Sequence, residues 1–268
     1  MMSDHTAAAS ADGEARGHGD APSERGRRRA ERPEPRRGGT ARFLRDILII
    51  FLAALLISFL VKTFLVRSFY IPSPSMTNTL QVNDRIVVNE LVPRASAIKR
   101  GDVVVFTDPG NWLSEGEQAQ TTTGNPVVDG LQWALTQVGL GTQDSGNHLI
   151  KRVIGLPGDH VACCNAQGQL EVNGTPLTEP YINVPAGKPA DPYTFDVTVP
   201  AGELWVMGDN RDDSADSAYH YTQTPSTAFV PISDVVGRAV AITWPSSRWG
   251  TISDYPQVFA RVPKGASS

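Results

Sequence analysis

Ser68-Phe69-Tyr70-Ile71-Pro72-Ser73-Pro74-Ser75-Met76 is the stretch on which the reading of this chain turns. It follows the only long apolar run and precedes the first strand-like segment, so two serines sit on a proline-stiffened elbow between a hydrophobic helix and a folded domain. Pro72 and Pro74 fix their own φ and push Ile71 and Ser73 towards extended backbone, which leaves little freedom around Ser75. Such preorganisation suits a nucleophile. The same composition also describes a Pro/Ser linker joining an anchor to a domain, and the flanking sequence has to decide.

Upstream, residues 47–66 are Ile, Leu, Phe, Val and Ala interrupted only by Ser58, Lys62 and Thr63. Twenty helical residues at ~1.5 Å rise cover ~30 Å, the thickness of a bilayer's hydrocarbon. Lys62 can snorkel to the outer interface, while Arg45 and Asp46 mark the inner end. A cleavable signal peptide needs a small-x-small site after its apolar core, but Thr63-Phe64-Leu65-Val66-Arg67 follows instead. Residues 44–66 are therefore expected to be an uncleaved, single-pass anchor in the cell membrane. Residues 1–43 have almost nothing to bury and should form a disordered, basic, cytoplasmic tail. Its arginines, from Arg25 to Arg45, can bind acidic lipid or nucleic acid, but ahead of a membrane segment they are read as holding this end inside.

That orientation puts residues 67–268 outside the cytoplasm. The formal charge of −4 hides a division: eleven basic against eight acidic residues in 1–66, thirteen against twenty in 67–268. An acidic outer part argues against nucleic acid as its partner. Short β-branched or aromatic runs at 85–88, 102–106, 149–154, 193–199, 204–207 and 237–244 predict a mainly β, antiparallel domain. Asn173-Gly174 between 170–172 and 175–177 is a two-residue hairpin signal. From about 109 to 147 the composition changes to Gly, Thr, Gln and Asn around one candidate helix at 127–140 that includes Trp133, a surface insertion resting on either membrane or domain.

A serine nucleophile needs a base. His148, His160 and His220 lie in the outer part, but none sits in a Ser-His-Asp motif and no G-x-S-x-G surrounds any serine. Of five lysines, Lys62, Lys99, Lys188 and Lys264 fall in the membrane end, polar turns or the tail. Lys151 lies in His148-Leu149-Ile150-Lys151-Arg152-Val153-Ile154, where alternation puts Leu149, Lys151 and Val153 on one face and Ile150, Arg152 and Ile154 on the other. Apolar neighbours on its own face disfavour an ammonium and would make Lys151 a base near neutral pH. A sheet-edge lysine with its head in water would carry the same pattern.

The stretch Met207-Gly208-Asp209-Asn210-Arg211-Asp212-Asp213-Ser214-Ala215-Asp216-Ser217 changes that balance. With the serine stretch, Lys151-Arg152-Val153-Ile154-Gly155-Leu156-Pro157-Gly158-Asp159 and Arg100-Gly101-Asp102-Val103-Val104-Val105-Phe106, it closely resembles bacterial type I signal peptidase, a membrane-anchored Ser/Lys endopeptidase, over roughly 44–245. The resemblance implies Ser75 as nucleophile and Lys151 as general base. The Ser73 hydroxyl and the Ser75 N–H would form the oxyanion hole, and Ser214 would orient the lysine. Phe69, Ile71, Met76, Leu80, Ile86, Leu149 and Ile150 would line shallow pockets for small residues at substrate positions −1 and −3. Gly208, Asp209, Asn210, Arg211 and Asp216 would be structural. The implied substrates are signal-peptide-bearing preproteins met at a lipid surface, with no cofactor, no metal and no nucleic acid. Alternatives are a self-cleaving Ser/Lys repressor peptidase and a non-catalytic binding domain on the same fold.

The chain departs from the family pattern in places. Ala218 stands where a basic residue often follows Asp-Ser, which puts an ion pair with Asp216 in doubt, and Asn83 stands where glycine usually precedes Asp84. About fifty residues separate the lysine block from Gly208, so any accessory β domain is reduced. Cys163 and Cys164 are adjacent and are either a vicinal disulfide or free thiols, with a metal site beside His160 a remote third option.

Overall fold

The computed structural model describes residues 39–64, 66–110, 112–113, 147–182, 184–185 and 187–265. The expected tail up to residue 38 and the expected helix at 127–140 with Trp133 lie outside the described residues. The chain divides into two units, 1–48 and 49–268. The described part of the first is the start of helix α1, Gly39–Phe64, which begins within the stretch expected to be tail. Side chains of α1 are described over 42–58, and among the described residues no helix is long and apolar enough to cross a membrane. Within this window the large apolar side chains from Phe43 to Ile57 are each about half exposed or more.

The second unit is built on two antiparallel sheets. The larger has the order β1 (Val66–Tyr70), β2 (Arg85–Asn89), β11 (Val235–Trp244), β3 (Val103–Thr107), β4 (His148–Gly155), β9 (Glu203–Met207) and β10 (Val230–Pro231), with β12 (Gly250–Thr251) also on β11. The smaller has the order β7 (Thr175–Pro176), β6 (Glu171–Val172), β5 (His160–Cys163) and β8 (Phe195–Thr198). The mainly antiparallel β reading of residues 67–268 thus holds among the described residues. All six predicted runs are strands, and Asn173 and Gly174 take the φ values of 52° and 71° that a two-residue hairpin turn requires.

Two features place the serine stretch. Val66 opens β1 rather than closing the helix, so the segment ahead of Ser75 is a strand paired with β2 from Val66↔Asn89 to Tyr70↔Arg85. The chain then leaves the sheet at Ile71, whose N–H donates to Asp84 O at 2.9 Å while Asn83 N returns a bond to Ile71 O at 2.9 Å. Asn83 makes this return with φ 75° and accepts a hydrogen bond from the Tyr70 hydroxyl. Asparagine is among the few residues that tolerate this left-handed geometry, which accounts for its substitution for glycine.

The core is three apolar clusters that meet at β4. Ile150 joins Phe69, Ile71, Met76, Leu80, Ile86, Val103 and Val105; Val153 joins Val104, Phe106, Leu204 and Val206, with Leu149 packed against them; Ile154 joins the cluster around Trp205, Phe195 and Val161. Each such side chain removed from water contributes ~1.5–3 kcal/mol, so β4 is pinned from both faces. Where β4 turns towards β5, a Cβ on Gly155 would fall 2.7 Å from Val161 Cγ2, so only glycine lets the two sheets approach. Cys163 and Cys164 are disulfide-bonded, and His160 pairs with Asp196 at 2.6 Å.

Candidate active site

The loop that presents Ser75 is held by its carbonyls. Pro74 O accepts from Thr77 N at 2.9 Å, Thr77 Oγ1 at 2.6 Å and Asn210 Nδ2 at 3.1 Å; Ser75 O accepts from Asn210 N at 3.1 Å; Met76 O accepts from Leu80 N at 2.8 Å. Asn210 therefore clamps both peptides that flank the serine. Ser75 itself is 5% exposed, and its Oγ lies 3.1 Å from Ser73 Oγ.

Lys151 reaches the same oxygen from β4, where it sits opposite Val104. Its side chain is buried and Nζ is 2.7 Å from Ser75 Oγ, within hydrogen-bonding distance. The sheet-edge alternative, with the ammonium in water, is thereby excluded. A buried amine in contact with a buried hydroxyl can accept its proton, which is the arrangement an activated serine needs.

Gly208 forms the back of the site. Its N–H donates to Asp216 Oδ2 at 2.8 Å, and a Cβ built on it would meet Ser214 Oγ at 2.3 Å and Ser75 O at 2.5 Å. Ser214 is thus packed beside the Ser75 loop, but its buried Oγ has no hydrogen-bond partner among the described residues. Asp216 caps the helix Ser217–Gln223 by accepting from Ala218 N at 3.0 Å. With Ala218 wholly buried, two backbone donors take the place of the cation that this position often carries.

Two buried arginines anchor the loops that carry these groups. Arg152 forks Asp209 at 2.8 and 2.7 Å, donates to Gly101 O at 2.8 Å and Ser253 O at 3.0 Å, and stacks 4.2 Å from the Tyr181 ring centroid. Burial works against its charge, but Asp209 outweighs that and holds the guanidinium above its usual range. Thr79, four residues after Ser75, donates to the same carboxylate and so ties the serine loop to β4. Arg211 forks Glu179 at 2.6 and 3.2 Å and donates to Gly208 O at 3.0 Å and Ala190 O at 2.9 Å.

Of the seven residues expected to line pockets, Phe69, Ile71, Met76, Leu80, Ile86 and Ile150 share one cluster, and Leu149 packs with the neighbouring one. Met76, Leu80 and Ile86 have no exposed surface and lie inside that buried cluster. His220 was not expected to take part. It stacks on Trp112 at 4.4 Å, and burial depresses its pKa, with Asp216 and Asp108 opposing and the Lys151 charge adding to the effect. Glu179 and Tyr181 carry no motif and were not legible as partners of the two arginines.

A comparison with known families matches residues 44–244 to the signal peptidase family, peptidase S26. The chain belongs to that family. Signal peptidase I of Mycobacterium tuberculosis (strain H37Rv) is 39% identical over 250 residues, spanning 87% of this chain and 83% of the relative. A probable signal peptidase I of Mycobacterium leprae is 38% identical over 232 residues (77% and 78%), and a probable signal peptidase I-2 of Synechocystis 34% over 203 (76% and 74%). The chain is accordingly a serine endopeptidase of the bacterial type I signal peptidase kind, and its substrates are preproteins bearing signal peptides.

Proposed function

We propose that this signal peptidase cleaves after small residues at −1 and −3 by a Ser75/Lys151 dyad, while anchored to the cell membrane by the single helix α1, which ends at Phe64. The observation that carries the reading is the 2.7 Å contact between two buried side chains, Lys151 Nζ and Ser75 Oγ. In the first half-reaction Ser75 Oγ attacks the scissile carbonyl carbon as Lys151 Nζ takes its proton. The tetrahedral oxyanion is stabilised by the Ser75 N–H and the Ser73 hydroxyl, which already lies 3.1 Å from the attacking oxygen. The ammonium then protonates the leaving amine, releasing the mature protein. Water, deprotonated by the neutral lysine, hydrolyses the acyl-enzyme and restores Ser75. Ser214 Oγ, buried and without a hydrogen-bond partner among the described residues, serves as acceptor for the ammonium formed in each half-reaction. The apolar floor of Met76, Leu80 and Ile86 admits alanine, and a packed wall yields to larger side chains only at ~1–3 kcal/mol.

Support for the anchor is the apolar run of the sequence from Ile47 onward, which falls within α1 and whose described large apolar side chains are each about half exposed or more. The arginines before it hold the N-terminus inside and leave the catalytic domain outside. The test is Lys151→Arg, which keeps a cation that cannot accept a proton. It is expected to be folded and inactive on a preprotein in detergent micelles; appreciable turnover would rule out lysine as the base.

A further inference from the structure

The carbonyl oxygen just ahead of Ser75 has more donors than it needs. Pro74 O accepts from Thr77 N at 2.9 Å, Thr77 Oγ1 at 2.6 Å and Asn210 Nδ2 at 3.1 Å. A carbonyl has two lone pairs, so three donors go beyond satisfying it. The first belongs to the tight turn that reverses the chain after Pro74, since Thr77 N closes a four-residue turn. The other two are side chains that the turn does not require. Thr77 supplies its hydroxyl from within the turn, whereas Asn210 brings its amide from a segment 136 residues away.

The Pro74–Ser75 peptide is trans, and in a trans peptide the C=O and N–H point in opposite directions across one rigid plane. Whatever holds Pro74 O therefore also sets the direction of the Ser75 N–H. Among the described residues that N–H meets no acceptor, so it is left to donate to a bound group. Donors on the oxygen also draw electron density through the amide, and linked hydrogen bonds strengthen one another by ~10–30% per bond. We propose that Thr77 and Asn210 are positioning residues for the oxyanion hole: through Pro74 O, the Thr77 hydroxyl and the Asn210 side-chain amide aim and polarise the Ser75 N–H. Asn210 holds the other side of the same residue as well, since its own N–H donates to Ser75 O at 3.1 Å. The effect on rate rests on the Ser75/Lys151 reading, but the polarised peptide does not.

The experiment uses the full chain in detergent and has two arms. Thr77→Val puts a methyl where the hydroxyl was, so water cannot stand in for the lost donor, and Thr77→Ser keeps the hydroxyl. Asn210→Leu replaces the side-chain amide in the same way and keeps the backbone N–H on Ser75 O. Two variants on different sides of the oxygen keep both arms decisive if one of them fails to fold. In the first arm, the protein is labelled at proline carbonyl carbons and serine amide nitrogens for NMR, and the Pro74–Ser75 signal is assigned by its loss in Ser75→Ala. That signal is expected to move upfield in Thr77→Val and Asn210→Leu and to stay in place in Thr77→Ser; no movement in either folded variant would overturn the polarised peptide. In the second arm, an oxyanion donor worth ~10²–10³-fold in rate and weakened by ~10–30% predicts a ~2–8-fold lower kcat for Thr77→Val and Asn210→Leu, with KM unchanged and Thr77→Ser recovering the rate. A peptide aldehyde, whose hemiacetal with Ser75 places its oxygen in the same hole, should bind more weakly by the same factor. A loss confined to KM, or wild-type kcat in both variants, would overturn the Ser75 N–H as the group they act on. Turnover in folded Ser75→Ala would instead overturn the Ser75/Lys151 reading and with it the effect on rate, while the first arm still decides the polarised peptide.

Discussion

Gly208→Ala puts the tightest contact of the site under load. The added methyl would sit 2.5 Å from Ser75 O and 2.3 Å from Ser214 Oγ, where ordinary contact is 3.4–4 Å, so one side must retreat by about 1 Å. Ser214 can turn its hydroxyl away, but the Ser75 carbonyl is backbone, held by Asn210 N, and its displacement moves the Ser75 side chain. Overpacking of this kind costs ~1–3 kcal/mol of stability, and a misplacement of ~1 Å at reacting atoms costs ~10²-fold in rate. Gly208→Ala is therefore expected to unfold at lower denaturant, with an unchanged slope, and to lose ~10²-fold in kcat with KM little altered. Adding Ser214→Gly removes one of the two clashes, so it should recover stability but not rate. The assay is cleavage of a preprotein in micelles, followed by mass spectrometry, beside urea unfolding. Wild-type turnover in Gly208→Ala would show that Gly208 does not set the position of Ser75.

Other substitutions probe separate parts of the site. Asp209→Asn leaves the buried Arg152 guanidinium without its charge partner and should cost ~3–5 kcal/mol in urea unfolding, an effect far larger than that of a surface pair. His220 is held neutral by burial, so the stability tied to it is present above its ordinary pKa of 6.5 and lost as pH falls below that value. His220→Phe, which keeps the stack on Trp112, should flatten the wild-type decline in Tm below about pH 6.5; an unchanged slope would assign the decline to other groups. A preprotein with Phe at −1 should be cut far more slowly than one with Ala, and equal rates would remove Met76, Leu80 and Ile86 from the specificity pocket.

What was legible in the sequence divides along physical lines. Strands such as β3 and β4 announce themselves because a chain buried on both faces needs consecutive β-branched residues, and the Asn173-Gly174 turn because few residues accept positive φ. The strand β1 was hidden, since its apolar start continues the helix without a break. Lys151 stood out because strand alternation gives it apolar neighbours, yet only the fold could bring Ser75 to it across seventy-six positions. The partners of Arg152 and Arg211 were illegible for the same reason: Asp209 and Glu179 lie 57 and 32 residues from them, and no local period marks them. Asn83 was visible as a departure from glycine, but its reason, a left-handed turn closed by Tyr70, is three-dimensional. Ala218 likewise signalled a missing cation without indicating that two backbone donors meet the Asp216 carboxylate instead.

The most direct test of the account is the N-terminus of an exported preprotein after incubation with wild-type protein, Ser75→Ala and Lys151→Arg, each shown to be folded, read by mass spectrometry. The Ser75/Lys151 mechanism predicts one new N-terminus, following a small residue at −1, with the wild type alone. The same product from either folded variant would contradict it.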